Sequence, residues 1–146
     1  MSKCRPLLRR WVKGIRHDDQ EDAMPRYMLL LYAEPADAEE QQRREAELPQ
    51  WIELYESLRD EGLLVATGRL QPVDVATTVR ERGGKTEIVD GPFAVTKEFL
   101  AGYYLLECAD LDEALRQAQR IPLTRYGSVE VRPVMDYPLP PEAAGE

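Results

Sequence analysis

Histidine is almost missing from this chain: the 146 residues contain one, His17, and it lies in an atypical leader. From Met24 onward there is none, which removes Ser-His-Asp and Cys-His nucleophile arrangements, histidine-ligated haem and the common zinc sites from consideration within the domain. Acid–base work then falls to carboxylates, lysine or tyrosine, with no cofactor implied and no metal ligand set in view. Cysteine is scarce too. Cys4 and Cys108 are too few for a disulfide framework, which fits a reducing, cytoplasmic setting. No apolar run approaches the length of a membrane-spanning helix. Positive charge is in deficit: 19 basic against 27 acidic residues give a net charge of -8, which argues against nucleic acid and anionic membranes as partners.

What charge there is divides unevenly. Residues 1 to 23 hold six basic residues (Lys3, Arg5, Arg9, Arg10, Lys13, Arg16) and four acidic ones (Asp18, Asp19, Glu21, Asp22), leaving 13 basic and 23 acidic residues for the remainder. Leu7, Leu8, Trp11, Val12 and Ile15 fall at helical spacing, so one reading of the leader is a basic amphipathic helix that touches a membrane or a partner. Pro6 and Gly14 weaken that helix, and no continuous apolar stretch marks a secretory signal. The other reading, an over-extended gene start, is favoured by Met24, which directly precedes Pro25, Arg26 and a strand-like run. The expected organisation is a leader over 1–23, a domain over 24–137 and a Pro-rich tail without fixed structure over 138–146.

Within the domain, Tyr27–Ala33 (YMLLLYA) has the pattern of a strand buried on both faces. Glu39–Glu61 reads as an amphipathic helix with a stripe of Leu48, Trp51, Ile52, Tyr55 and Leu58, kinked or restarted by Pro49 and closed by Gly62. Its acidic part, Glu39 to Glu47, reads as solvated surface. Leu63–Leu70 is a strand in which Gly68 marks a bulge or a close approach by another group. Val75–Arg82 and Lys85–Val89 flank Gly83-Gly84, a strong hairpin signal. Leu100–Cys108 is a further strand, and Asp110 with Glu113 starts a second helix. Leu111, Ala114, Leu115, Ala118 and Ile121 form its stripe, and Pro122 ends it. Ser128–Met135 is the last strand. The order is β-α-β, hairpin, β-α-β, which predicts an α+β fold: a ferredoxin-like sandwich (βαββαβ) with an inserted hairpin. Alternation along the last strand turns Val129 and Val131 toward the helices and Glu130 and Arg132 toward the open side, for which a second subunit is the simplest cover.

Three segments in order, YMLLLYAE at residues 27–34, DGPFAVTKE at 90–98 and RIPLTRYGSVEVRPV at 120–134, resemble the YCII-related, or DGPF, family. The resemblance spans about residues 26–137. It implies a ferredoxin-like domain that dimerises face to face as a dimeric α+β barrel, with a cleft between sheet and neighbouring subunit. It also implies a regulatory context, since DGPF proteins often accompany sigma factors of the extracytoplasmic-function class. The His-Asp pair proposed to be catalytic in some YCII-type members has no counterpart here. Val95 stands where DGPFAETKE has glutamate, so no role can be carried over for that carboxylate.

The candidate site follows from these segments. Asp90 is a general base or the side chain that closes an Asx turn, with Phe93 as an apolar anchor for the rigid Gly91-Pro92 turn. Lys97 holds an anion or pairs with Glu98 at the surface. Glu130 and Arg132 share a strand face, as a proton carrier and anion anchor or as a salt bridge at the dimer seam. Tyr32, Arg69 and Tyr126 are the remaining substrate-binding candidates, with packing the alternative for the tyrosines. Cys108 reads as a buried, unreactive thiol. The functional expectation is a homodimer that binds a small polar or anionic molecule in the cleft, with acid–base chemistry carried by Asp90 or Glu130. The alternative is a non-enzymatic interaction module acting with a sigma factor.

Overall fold

A computed structural model describes residues 24–136. The leader and tail therefore lie outside the described residues, as does every expectation placed on them. The chain opens with β1 (Arg26–Ala33), followed by α1 (Ala38–Glu45), α2 (Leu48–Asp60) and β2 (Leu64–Arg69). A single 3-10 turn, Val73–Val75, leads into the hairpin β3 (Thr77–Arg82) and β4 (Lys85–Asp90). Then come β5 (Phe99–Glu107), α3 (Leu111–Ala118), a second 3-10 turn Pro122–Arg125, and β6 (Gly127–Pro133). The result is an α+β fold with two antiparallel sheets.

Local chemistry accounts for the boundaries. Asp37 caps α1 by accepting from the backbone N–H of Glu40 at 2.8 Å. Pro49 has no N–H to donate and sits in the first turn of α2, so the single helix expected over Glu39–Glu61 is restarted there as two. Gly62, at φ +75°, closes α2 in a conformation costly for other residues. At α3, Asp110 Oδ1 accepts from Glu113 N at 2.9 Å while Glu113 Oε1 reaches back to Ala109 N at 2.7 Å. This reciprocal arrangement is a capping box displaced by one residue. Gly83 and Gly84 both take positive φ, as a two-residue hairpin turn requires.

The larger sheet has the order β2-β5-β1-β6, with every neighbouring pair antiparallel. The hairpin forms its own two-stranded sheet and, among the described residues, makes no extensive contact with the helices or the larger sheet. The helices lie against one face of the larger sheet, with α2 over β2 and α3 over β1 and β6. Alternation in β1 sends Tyr27, Leu29, Leu31 and Ala33 into that layer, where Leu54, Leu58, Tyr104, Leu106, Ala114, Ala118 and Ile121 complete the core. Met28, Leu30 and Tyr32 are only half-buried. The expectation of a strand buried on both faces is thus corrected: β1 is central in the sheet, but one face of the sheet has no cover among the described residues.

The helical stripes are rotated from their expected positions. In α2 the buried residues are Leu54 and Leu58 with Trp51 packed beside them, whereas Leu48, Ile52 and Tyr55 are exposed. In α3, Ala114, Gln117 and Ala118 are buried and Leu111 and Leu115 are exposed. Short side chains there allow α3 to lie close to the sheet, which leaves the bulky leucines on the flank.

Candidate functional site

The uncovered sheet face is the first place to look for a site, because register brings side chains together there. Met28 lies beside Leu105 and Arg132, Leu30 beside Tyr103 and Glu130, and Tyr32 beside Leu100 and Ser128. Side chains on one face repeat every second residue, so Tyr32, Glu130 and Arg132 share this surface with Met28, Leu30, Tyr103 and Leu105. The valines behave as expected: Val129 and Val131 pair with Leu31 and Leu29 on the helix side. Arg132 Nε lies 3.8 Å from Glu130 Oε2, and both side chains are half-exposed. That is a loose pair, worth little to stability and easily opened toward a ligand. One same-face step from Met28, Arg26 Nε meets Glu107 Oε2 at 3.1 Å.

Gly68 explains how Tyr103 fits on this face. The two residues are register partners, and a Cβ on Gly68 would stand 2.9 Å from Tyr103 Cε1. The missing side chain lets the phenol ring lie against β2, so the close-approach reading of Gly68 holds. The register irregularity of β2 sits earlier, between Leu64 and Ala66.

Arg69 and Tyr126 belong to a second group on the helix side. Arg69 pairs with Gly102, whose other neighbour is the buried Leu31. The Arg44 guanidinium lies 4.0 Å from the centre of the Tyr126 ring and donates to Glu34 O at 2.9 Å and Glu40 Oε2 at 3.1 Å. Arg125 donates to Glu47 Oε2 at 2.9 Å and to Gln50 Oε1 at 2.6 Å. Burial, and then the Glu47 carboxylate, push the Tyr126 phenol up from its ordinary pKa. Hydrogen bonds from Arg43 and Arg44 hold the Glu40 carboxyl below its usual value.

The reading of Glu39 to Glu47 as a solvated face holds for most of α1, which buries no residue, and is corrected at its end. Glu47 is mostly buried, and its Oε1 is enclosed without a hydrogen-bond partner. Sequence reasoning missed Arg44, Glu47 and Gln50 because charged and polar residues at helical spacing normally face water. The available signal was the break at Pro49, which turns the end of α1 in toward the Arg125-Tyr126 segment.

Asp90 and Lys97 form no part of either group. Asp90 pairs with Thr77 at the base of the hairpin. Gly91, at φ +100°, donates to Ala76 O at 2.7 Å, and its carbonyl accepts from Thr78 Oγ1 at 2.8 Å. Among the described residues the Asp90 carboxylate accepts no hydrogen bond, so the neck is closed by backbone and Thr78 rather than by an Asx turn. Lys97 and Glu98 are not paired with each other, and Thr96 Oγ1 donates to Glu98 O instead. Phe93, expected as an anchor, is exposed. The seven sequence candidates therefore fall into three groups: Tyr32, Glu130 and Arg132 on the open face, Arg69 and Tyr126 on the helix side, and Asp90 and Lys97 at the hairpin neck.

Among the described residues no three His, Cys, Asp or Glu side chains are grouped to hold a metal ion. No helix among them is long and apolar enough to cross a membrane. The profile of the YCII-related domain matches residues 25–138, from the start of β1 past the end of β6. The chain belongs to the YCII-related domain family. An uncharacterised protein of Rhizobium meliloti (strain 1021) is 49% identical to it over 80 residues, 52% of this chain. The match covers 63% of that relative's length. In this YCII-related chain the family match takes in the whole uncovered sheet face, the hairpin and its neck.

Proposed function

We propose that the protein is a homodimer of ferredoxin-like subunits, paired face to face as a dimeric α+β barrel, that binds a small polar or anionic molecule in the cleft between them. The observation that carries this reading is the uncovered sheet face, where Met28, Leu30, Tyr103 and Leu105 stand only half-buried beside the Glu130–Arg132 pair. An apolar surface of that extent calls for a cover, and the balanced charges beside it, Arg26 with Glu107 and Arg132 with Glu130, suit a self-complementary two-fold contact. The edge-to-edge order β6-β1-β5-β2, with α2 and α3 on one side, supports the ferredoxin-like description.

In this reading Arg132 holds the anionic group and Glu130 moves the proton, with Tyr32 as a nearby hydroxyl. Asp90 and Lys97 join them only if the neck of the neighbouring subunit comes into the cleft. Arg69 and Tyr126 serve a separate, helix-side cluster. A second reading, an interaction module acting with an extracytoplasmic-function sigma factor, is favoured by the outward apolar row Leu48, Ile52 and Tyr55 on α2.

The test is thermal melting of the full chain and of Arg132→Ala against a panel of small carboxylates, phenols and lactones. A compound that raises the melting temperature of the parent protein alone supports a ligand site at Arg132. No shift across the panel from an intact dimer would turn the reading to the interaction module.

A further inference from the structure

Among the described residues, the β3–β4 hairpin makes no extensive contact with the helices or the larger sheet. A two-stranded hairpin is marginal in water unless it packs on something. This one is nonetheless built firmly at its base, through the Gly91 N to Ala76 O and Thr78 Oγ1 to Gly91 O bonds, and across its strands through Arg80 Nε and Glu87 Oε1 at 3.0 Å. Every residue of β4 is exposed, and all of β3 except Thr78. Val79 and Ile88 stand directly opposite each other on one side of the ribbon, 65% and 70% exposed. At its base Phe93 and Val95 are 82% and 98% exposed. Aligned apolar side chains on a stiff projection of this kind are the mark of a contact surface.

We infer that this hairpin, with Phe93 and Val95 at its root, is an intersubunit arm whose Val79–Ile88 side packs on a second copy of this chain. The inference rests on the face-to-face dimer proposed above and names the element that completes it. Area decides the occupant. Four strands of about seven residues, at about 3.3 Å per residue and about 4.8 Å between strands, give an open face with a footprint of about 440 Å². A stable specific dimer covers about 800 Å² of accessible surface per partner, and the half-buried Met28, Leu30, Tyr103 and Leu105 expose little of theirs, so the apolar part of the sheet face alone falls short. One side of a six-residue hairpin adds about 200 Å² of footprint, and the landing site for the partner's arm adds a like amount, so the arm nearly doubles the contact. The arm is also rooted where it has to be: it leaves the larger sheet after the edge strand β2 and returns into β5 beside Leu100, at the rim of the uncovered face.

Sedimentation equilibrium of the full chain, Val79→Lys/Ile88→Lys and Val79→Thr/Ile88→Thr tests this. The threonine pair keeps the β-branched ribbon and removes apolar surface. The arm predicts a dimer dissociation constant raised at least about a hundredfold by the lysines and about tenfold by the threonines, with unchanged circular dichroism. A nitroxide on Lys85→Cys in a Cys4→Ser background, mixed with isotope-labelled parent chain, is expected to broaden resonances of the unlabelled-spin partner. Equal dimer affinity in all three proteins, without intermolecular broadening, would overturn the arm and leave the dimer standing. A monomeric parent chain would overturn the arm and the dimer together.

Discussion

Leu29 and Leu30 are adjacent in β1, chemically identical and turned to opposite faces, and replacing each in turn by alanine separates what the two faces do. Leu29 is 1% exposed and lies between Tyr104 and Val131 beneath the helices. Removing three carbons from that site forfeits about 2.4 kcal/mol of transfer free energy at about 0.8 per carbon. The sheet centre collapses poorly, so a residual cavity of about 40 Å³ adds about 1 kcal/mol, for a total of about 3.4 kcal/mol. Leu30 sits half-buried beside Tyr103 and Glu130 on the open face, so its truncation costs the isolated protomer about 1 kcal/mol. In a dimer that covers this face the cost rises with protein concentration, because association then contributes to stability. Urea unfolding of both variants and the parent at two concentrations, a hundredfold apart, measures this. Leu29→Ala should lower the midpoint by the same free energy at both concentrations, while the effect of Leu30→Ala should grow at the higher one. Equal, concentration-independent losses for the two variants would refute the assignment of the faces.

Burial, and then the Glu113 and Asp110 carboxylates, push the Cys108 thiol up to about 11 from its ordinary 9.0. Cys108 should therefore resist iodoacetamide in the folded protein at pH 8, and rapid native-state alkylation on peptide mapping would contradict its burial. Because the folded state holds this proton more tightly than the unfolded chain, the Cys108 contribution to stability is complete below about pH 9 and is lost as pH rises toward 11. Replacing Cys108 by alanine should flatten that part of the stability–pH curve. Asp110→Ala removes the acceptor for Glu113 N and should cost about 1 kcal/mol in urea unfolding, with Asp110→Asn recovering most of it.

Much of the fold was legible because its signals are local. Asp110 with Glu113, Gly83-Gly84, Gly62 and Pro49 each act through neighbours a few residues away, and each stands where the sequence placed it. The facing of Val129 and Val131 was legible because alternation needs only the strand itself. What depended on distant contacts was read less well. Ile52 and Tyr55 matched a helical stripe as well as Leu54 did, and only the direction from which the sheet approaches α2 decides which of them is covered.

The site divides along the same line. Glu130 and Arg132 could be paired from their spacing, and Tyr32 joins them through the β1–β6 register, a long-range fact. Arg69 is set on the helix side by its register with Gly102 and Leu31, near enough for its charge to act on the Tyr126 phenol, which no spacing reveals. Phe93 looked like an anchor because its neighbours are rigid, yet rigidity says nothing about which surface an aromatic ring meets. Among the described residues it stands 82% exposed.

The most direct test of the account is the mass of the full chain in solution, by sedimentation equilibrium, for the parent and for Leu30→Glu. A carboxylate at the centre of the uncovered face should leave the protomer folded and prevent its association. A dimeric parent and a folded, monomeric Leu30→Glu are the results the account predicts. A monomeric parent, or a Leu30→Glu chain that dimerises as well as the parent, would contradict it.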